Sequence, residues 1–509
     1  MWANVLPFIG LVCSLNNTGQ DSCFGRWGFE GESGVALHLP PQSMTEMMNP
    51  GCCLARGPPP IVKVMVRMPS AAECSHAPSR MAAAVARQRL VSVDALRGFD
   101  MFWIIGAGSL VVAFQSMKST PATRFLADQF EHADWEGFHF YDLIFPLFVF
   151  IVGVSLVFSL TKTIERFGRI EALKRIFRRS VLLYLCGMFY HGGLSHLWPD
   201  VRFSGVLNRI ALDYFFAAVL FCFFKPRALA GICAGLLIGY WALMTFIPIR
   251  DIQLTREHLA ILAERNGETA LAAQFRDKTL VNPTTVKNSP VWAAAKTMFY
   301  GTTNWVTGKF EQGRNLSEHL DFQFLPGHFN AYEHEWAEPQ GYLSTLPSIA
   351  TCLLGVFAGL LLKNQTIDGR RKVVYLITVG IAAVALGWVW SLQFPVIKRA
   401  WTSSYVLVAG GYSSILLGLF YLIVDVWGAQ NWCQPFVWMG MNSITVYLVA
   451  EIIGGFNSVA ARLAGGDIRL FLDSHVTKGF GDLVISLVGL GLAFWFVRFL
   501  YQRKVFIRL

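Results

Sequence analysis

From residue 99 onward the chain carries a recurring series of apolar windows, each long enough to cross a lipid bilayer. A helix needs about 20 predominantly apolar residues to traverse a hydrocarbon core of about 30 Å. Inside that core an irregular backbone cannot satisfy its own polar groups. About ten windows meet the length criterion: 99–114, 143–160, 181–194, 205–224, 228–247, 342–362, 373–392, 403–424, 435–456 and 483–501, of which the third is short. The expected fold is all-α: a polytopic membrane protein, a bundle of about ten transmembrane helices with an outer-face loop cap.

Composition supports this class. Of 509 residues, 54% are hydrophobic and only 15% charged, against about a quarter charged in soluble domains. The net charge of +10 invites a nucleic-acid reading. That reading needs a basic face on a soluble domain, and here the cations sit in short clusters between apolar runs, so membrane lipid is expected as partner and nucleic acid is not.

Cations in short loops resist translocation, so their placement reports orientation. Arg87, Arg89 and Arg97 precede the first window; Lys162, Arg166, Arg169, Lys174, Arg175, Arg178 and Arg179 follow the second; Lys225 and Arg227 follow the fourth. Lys363, Arg370, Arg371 and Lys372 follow the sixth, and Arg503, Lys504 and Arg508 close the chain. Both termini are expected in the cytoplasm, with the protein in the inner (plasma) membrane. Lys398 and Arg399 run against the rule, in a short loop expected outside.

Under this topology residues 250–341 form one long outer loop. Over 255–275 the pattern Leu259, Leu262, Ala263, Leu271 and Phe275 predicts amphipathic helix interrupted at Asn266-Gly267. The remainder, with Pro283, Pro290, Pro326 and Gly327, is expected to be irregular. It serves as a cap over the bundle or as a substrate-contacting lid.

Residues 1–80 differ in character, rich in Gly, Pro and Met and without helical periodicity. They are expected to be disordered or an over-extended start, with Met81 opening the membrane domain, 81–509. An apolar stretch at 2–15 offers a signal peptide as rival, but it lacks a cationic n-region. None of the ten cysteines falls in an expected outer loop, so no disulfide framework is indicated.

Polar residues inside hydrocarbon cost about 2.5–3.5 kcal/mol each on insertion scales and invite a functional reading. In the first cluster Asp94 and Arg97 are spaced to pair on one helix face, while Asp100 lies deeper and needs its own partner. The second runs from Glu131 through His132, Asp134, Trp135, Glu136, Gly137, His139 and Tyr141 to Asp142 at the outer mouth of the second window. There an imidazole can take a proton from an attacking amine or hydroxyl, oriented by Asp142. The competing account is an interfacial aromatic belt with incidental histidines.

In the third cluster Arg209 and Asp213 can pair within one helix, or Arg202 and Arg209, with Asn208 between, can offer guanidinium groups to phosphates. In the fourth, Asn442, Ser443 and Glu451 are candidates to line an interior face, against the alternative of small polar residues packing helix contacts. Nucleotide-loop, nucleophile-elbow and metalloprotease motifs are missing. His328 and His334-Glu335 lack a third well-spaced ligand, so no metal is expected.

Several of these segments, in order, resemble one family. They are Arg89-Leu-Val-Ser-Val-Asp-Ala-Leu-Arg-Gly98, His132-x-x-Trp135-x-Gly137-x-x-x-x-Asp142-Leu-Ile-Phe-Pro146, Gly205-Val-Leu-Asn-Arg209, Glu338-Pro-x-Gly341, Trp401-Thr-Ser-Ser404 and Gly440-Met-Asn-Ser-Ile444. They are similar to the membrane acetyltransferases typified by heparan-alpha-glucosaminide N-acetyltransferase and to bacterial relatives described as N-acetylglucosamine-related membrane proteins. The likeness runs from about Arg89 to the C-terminus.

The resemblance implies that acetyl-CoA serves as co-substrate from the cytoplasmic side and that its acetyl group passes to an amino-sugar acceptor outside. It implies His132 as the active-site histidine. Where the family carries an active-site Asn in the outer half of the first span, this chain counts to Gly108. The residues expected to serve are His132 and Asp142 in catalysis, and Asp94, Arg97, Trp135, Arg202, Asn208, Arg209, Asn442, Ser443 and Glu451 in binding. The alternative is a transporter of amino sugars or their oligomers. The sequence allows a homodimer without specifying one.

Overall fold

The computed structural model describes residues 90–116, 121–193, 201–277, 289–324 and 341–506. The calls on residues 1–80, on Met81 as initiator, on His328, His334 and Glu335, and on Glu338 lie outside the described residues.

The described chain is helical apart from a two-residue strand pair, as an all-α polytopic membrane protein requires. Seven of its helical segments are long and apolar enough to cross a membrane, or eight if the bent pair Ser443–Ile452 and Phe456–Leu463 counts as one span. The described helices, spans and shorter ones together, begin in chain order with α1 (Val91–Phe102), α2 (Gly108–Ser116), α3 (Pro121–Phe130), α4 (Ile144–Tyr190), α5 (Val206–Phe223) and α6 (Pro226–Phe246). The segment expected outside holds β1 (Ile249–Arg250), α7 (Arg256–Arg265), α8 (Thr269–Arg276), α9 (Pro290–Gly301), β2 (Trp305–Val306) and α10 (Leu316–Phe324). The bundle resumes with α11 (Thr345–Lys363), α12 (Gly369–Trp390), α13 (Ser403–Phe420), α14 (Gln434–Met441), α15 (Ser443–Ile452), α16 (Phe456–Ala464), α17 (Asp467–His475) and α18 (Phe480–Gln502).

Two windows are broken and two are joined in ways the apolar count does not show. The windows at 143–160 and 181–194 fall in α4, one helical run of 47 residues with a non-helical residue at Gly168 (φ 82, ψ 174). Arg175 Nη1 donates to Thr163 Oγ1 at 3.2 Å, although twelve residues of straight helix would span about 18 Å. The run therefore folds back at Gly168, whose positive φ a side chain would resist. The cations between the two windows thus stand on helix rather than on a loop.

The first window is split by a π-helical turn, Trp103–Ala107, in which Gly106 leaves helical geometry. The ninth is split at Asn442 into α14 and α15.

Lipid offers helices no hydrophobic reward for meeting, so close van der Waals contact does more of the work. Along α4 and α11 a Cβ at Gly153 would stand 2.0 Å from the Cys352 carbonyl, and one at Gly355 1.9 Å from that of Phe150. Around this contact Leu147, Phe150, Val154, Ile349, Leu353 and Tyr405 form a continuous buried core.

The outer segment has an apolar core of its own, with Leu259, Ala263, Leu271, Phe275, Val291 and Phe299. β1 and β2 pair antiparallel, Ile249 opposite Val306. The interrupted amphipathic stretch is found as α7 and α8, and Thr255 caps α7 by accepting from the His258 N–H.

Candidate active site

Residues 131–142 connect α3 to α4 and are stitched to the turn between α12 and α13. Gly137 N donates to the Val396 carbonyl at 2.9 Å, and Glu136 bridges to Ile397. Gly137 adopts φ 129, which lets the chain turn between His132 and Asp142. Trp135 Nε1 donates to the Phe310 carbonyl at 2.8 Å, joining the loop to the outer cap.

At the end of the loop a short 3₁₀ turn, Phe140–Leu143, points the Asp142 carboxyl back into the loop. Its Oδ2 accepts from Ala133 N at 3.2 Å and from His139 N at 3.0 Å. Its Oδ1 lies 2.8 Å from His132 Nδ1 and 3.4 Å from Lys398 Nζ. Lys398 Nζ in turn lies 2.8 Å from Nδ1 and 3.1 Å from Nε2 of the same ring. Exposure rises outward: the side chain of Asp142 is 0% accessible, Lys398 22% and His132 42%.

These contacts admit a tautomer in which His132 serves as a base. A carboxylate only accepts, so Nδ1 carries the hydrogen that meets Asp142. Nε2 then keeps its lone pair, and the Lys398 ammonium, a donor only, is placed to cover it. Charge-assisted bonds of this kind contribute about 1.5–3 kcal/mol each. In that tautomer the basic nitrogen stands at the accessible edge of the site.

Two aromatic groups brace it. Tyr405 donates its hydroxyl to the Asp142 carbonyl at 2.8 Å, and the Tyr141 ring lies 4.8 Å from that of His132.

The turn that delivers Lys398 is itself strained. Trp401 has φ 50, which costs about 1–3 kcal/mol for a residue with a side chain. It is held by neighbours on every side. Its N–H meets the Lys398 carbonyl at 3.0 Å, its indole donates to Thr351 Oγ1 at 3.2 Å, and the Arg209 guanidinium lies 4.9 Å over its ring. Thr402 Oγ1 ties the turn by donating to the Pro395 carbonyl at 2.7 Å and accepting from Ile397 N at 3.0 Å.

The other expected binding residues lie elsewhere. Arg97 pairs with Asp94 at 3.4 Å and also reaches the Gly440 carbonyl at 3.4 Å and Ser155 Oγ at 2.5 Å, tying α1 to α14 and α4. Arg209 is buried and donates to the Gly341 carbonyl and Ser344 Oγ, so it is a clamp on the start of α11 rather than a group presented to phosphate. Asp213 accepts from Ser348 Oγ at 2.5 Å. Arg202 is buried with Nη1 3.4 Å from His191 Nδ1, again not offered to solvent.

Asn208 pins α5 to α4 through the Tyr184 carbonyl at 3.0 Å. Asn442 and Ser443 are buried, but Asn442 occupies the break and donates to Trp438 O at 3.2 Å, while Glu451 is exposed, so the three do not share an interior face. Among the described residues no three His, Cys, Asp or Glu side chains gather as metal ligands.

The cap carries its own buried ionisable pair on α10. Burial pushes the Glu318 carboxyl up to about 7, against the donors Gly313 N and Asn315 Nδ2, each at 2.5 Å, and the Arg399 charge. Burial holds the neighbouring His319 below the usual histidine value.

Tyr405 is a member of the site that sequence reasoning missed, and Lys398, which falls in a polar cluster of the sequence, was given no role in it. The signal for Lys398 was present, since it breaks the cation rule in an outer loop.

A family profile described as a domain of unknown function, DUF5009, matches residues 89–241. The chain is 28% identical over 414 residues to heparan-alpha-glucosaminide N-acetyltransferase of Mus musculus, covering 74% of this chain and 56% of that protein. It is 30% identical over 392 residues to the protein of the same name from Homo sapiens, covering 74% and 55% respectively. The chain thus spans about half the length of the curated relatives it matches. Over three-quarters of its own length it is a sequence relative of the heparan-alpha-glucosaminide N-acetyltransferases.

Proposed function

We propose that this chain is a transmembrane acetyltransferase that passes an acetyl group from cytoplasmic acetyl-CoA to the amine of a hexosamine on the outer side. The observation that carries the reading is the His132–Asp142–Lys398 cluster, an imidazole oriented by a buried carboxylate at the mouth of a membrane helix. The names of its relatives support acetyl transfer to nitrogen, and the cations of the opposite loops support cytoplasmic termini.

An incoming amine displaces the Lys398 ammonium from Nε2, which then takes the amine's proton as nitrogen bonds to the acetyl carbon. Asp142 stabilises the imidazolium so formed. The same lone pair would carry the acetyl group if transfer proceeds in two steps.

Purified protein given acetyl-labelled acetyl-CoA and glucosamine is expected to yield labelled N-acetylglucosamine. In proteoliposomes holding the donor inside, product is expected outside. Accumulation of unmodified glucosamine within the vesicles, with no labelled product from any hexosamine, would overturn the reading in favour of transport.

A further inference from the structure

One buried acid has no part in the chemistry described so far. Asp100 lies on α1 three residues before the π turn. It is wholly buried, and neither carboxyl oxygen has a hydrogen-bond partner among the described residues. Trp103, one turn further on, has a buried Nε1 in the same condition, while its ring stacks on Phe130 at 4.7 Å and meets the edge of Phe140 at 5.1 Å. Among the described residues, two polar groups on adjacent turns of a membrane helix are therefore left without a hydrogen-bond partner.

The helix is also opened here. π turns are uncommon and concentrate at functional sites. This one is maintained by side chains: Ser109 Oγ donates to the Gly106 carbonyl at 2.6 Å and is held by Asn457 Nδ2 at 2.7 Å. Tyr141 joins this region to the outer cluster. Its ring leans on His132 at 4.8 Å, and its hydroxyl lies 3.4 Å from where a Cβ on Gly108 would stand. An unpaired carboxylate in such surroundings costs several kcal/mol, so the group is held as the neutral acid, a donor with no acceptor.

We propose that Asp100 is the general acid of the transfer, protonating the sulfur of the departing CoA, and that the Tyr141 hydroxyl relays a proton from His132 back to it. The proposal rests on the acetyl-transfer reading above. The amine nitrogen forms a bond to the acetyl carbon, and the carbon–sulfur bond breaks with its electron pair left on sulfur. Sulfur takes the Asp100 proton. The surplus proton on nitrogen goes to His132 Nε2 and, by way of Tyr141, to the Asp100 carboxylate. Neutral amine and thioester thus leave as amide and thiol, with every protein group restored.

The leaving group supplies the test. Asp100→Asn is expected to slow transfer from acetyl-CoA by about a hundredfold or more, the usual effect of losing a general acid. From S-(4-nitrophenyl) thioacetate, whose arylthiolate leaves without a proton, it should work at close to the wild-type rate for that donor. Asp100→Glu, which keeps an acid, should recover part of the acetyl-CoA rate. Equal losses with both donors, no loss with acetyl-CoA, or Asp100→Glu as slow as Asp100→Asn would each overturn the assignment while leaving the function standing. Should the aryl donor prove too small to bind, the split between Asn and Glu decides. A wild-type protein that acetylates no amine at all would remove both the function and this role for Asp100.

Discussion

Asp142 and Asp100 are both fully buried, yet one stands in a loop that surrounds it with donors and the other on a helix that supplies none among the described residues. The difference lies in the backbone. In residues 131–142 the chain turns through Gly137 and leaves N–H groups free, so Ala133 N and His139 N can bind the carboxylate before any side chain arrives. A helix spends its N–H groups on its own carbonyls. Asp100 can be answered only by a neighbouring side chain or by a ligand. The outer cluster is thus a finished electrostatic arrangement, and the π-broken helix an unfinished one.

The sharpest way to break this contrast is to empty its finished half. His132→Ala is expected to lower acetyl transfer by about a hundred- to ten-thousand-fold, as loss of a general base does, while acetyl-CoA binding by equilibrium dialysis stays within a few-fold of wild type. A wild-type rate would show that the ordered cluster is architecture alone.

Asp142→Asn should cost less, about ten- to a hundredfold in rate, because an amide can still hold the two backbone N–H groups but cannot stabilise an imidazolium. Its effect should fall on kcat rather than on KM. A change confined to KM would make Asp142 a binding residue.

Lys398→Met removes the cation over Nε2 and is expected to change the rate by about tenfold, the scale of one charge-assisted bond. An unchanged rate over the accessible pH range would mean that Lys398 only fills space.

The smallest effect belongs to the cap and should leave the rate unaltered. Glu318, raised to about 7 by burial, binds more protons folded than unfolded, so its contribution is complete below the ordinary carboxyl range and is lost as pH rises through about 7. His319, lowered by burial, acts the other way, its contribution being lost as pH falls through about 6.5 and below. Hydrogen exchange of the α10 amides, corrected for intrinsic rates, should show protection falling between about pH 6 and 8 in wild type. Glu318→Gln should be flat over that range, and a slope that survives the substitution would assign it to another group.

Much of the class was legible because hydrophobicity is additive along a chain: windows of apolar residues declare membrane helices whatever they pack against. What such a sum misses is where a helix bends. The reversal at Gly168 and the π turn at Trp103–Ala107 depend on one or two residues inside long apolar runs, and neither changes the average.

The site was legible where its parts are close in sequence, as His132 and Asp142 are. Lys398 arrives from 266 residues away, and its only trace was a charge on the unexpected side of the membrane. Arg202 and Arg209 illustrate the converse. Their type suggested phosphate, and packing had already engaged them with His191, with the start of α11 and with Trp401.

The elbow at Gly168 also bears on how the chain enters the bilayer. With no loop between them, the two legs of α4 form one hairpin about a single elbow. Lys162, Arg166, Arg169, Lys174 and Arg175 cluster around that elbow. They act as one anchor for two helices, so a single insertion event sets the sidedness of both legs. Shifting the helix break by a few residues would move that cluster of cations along both legs at once.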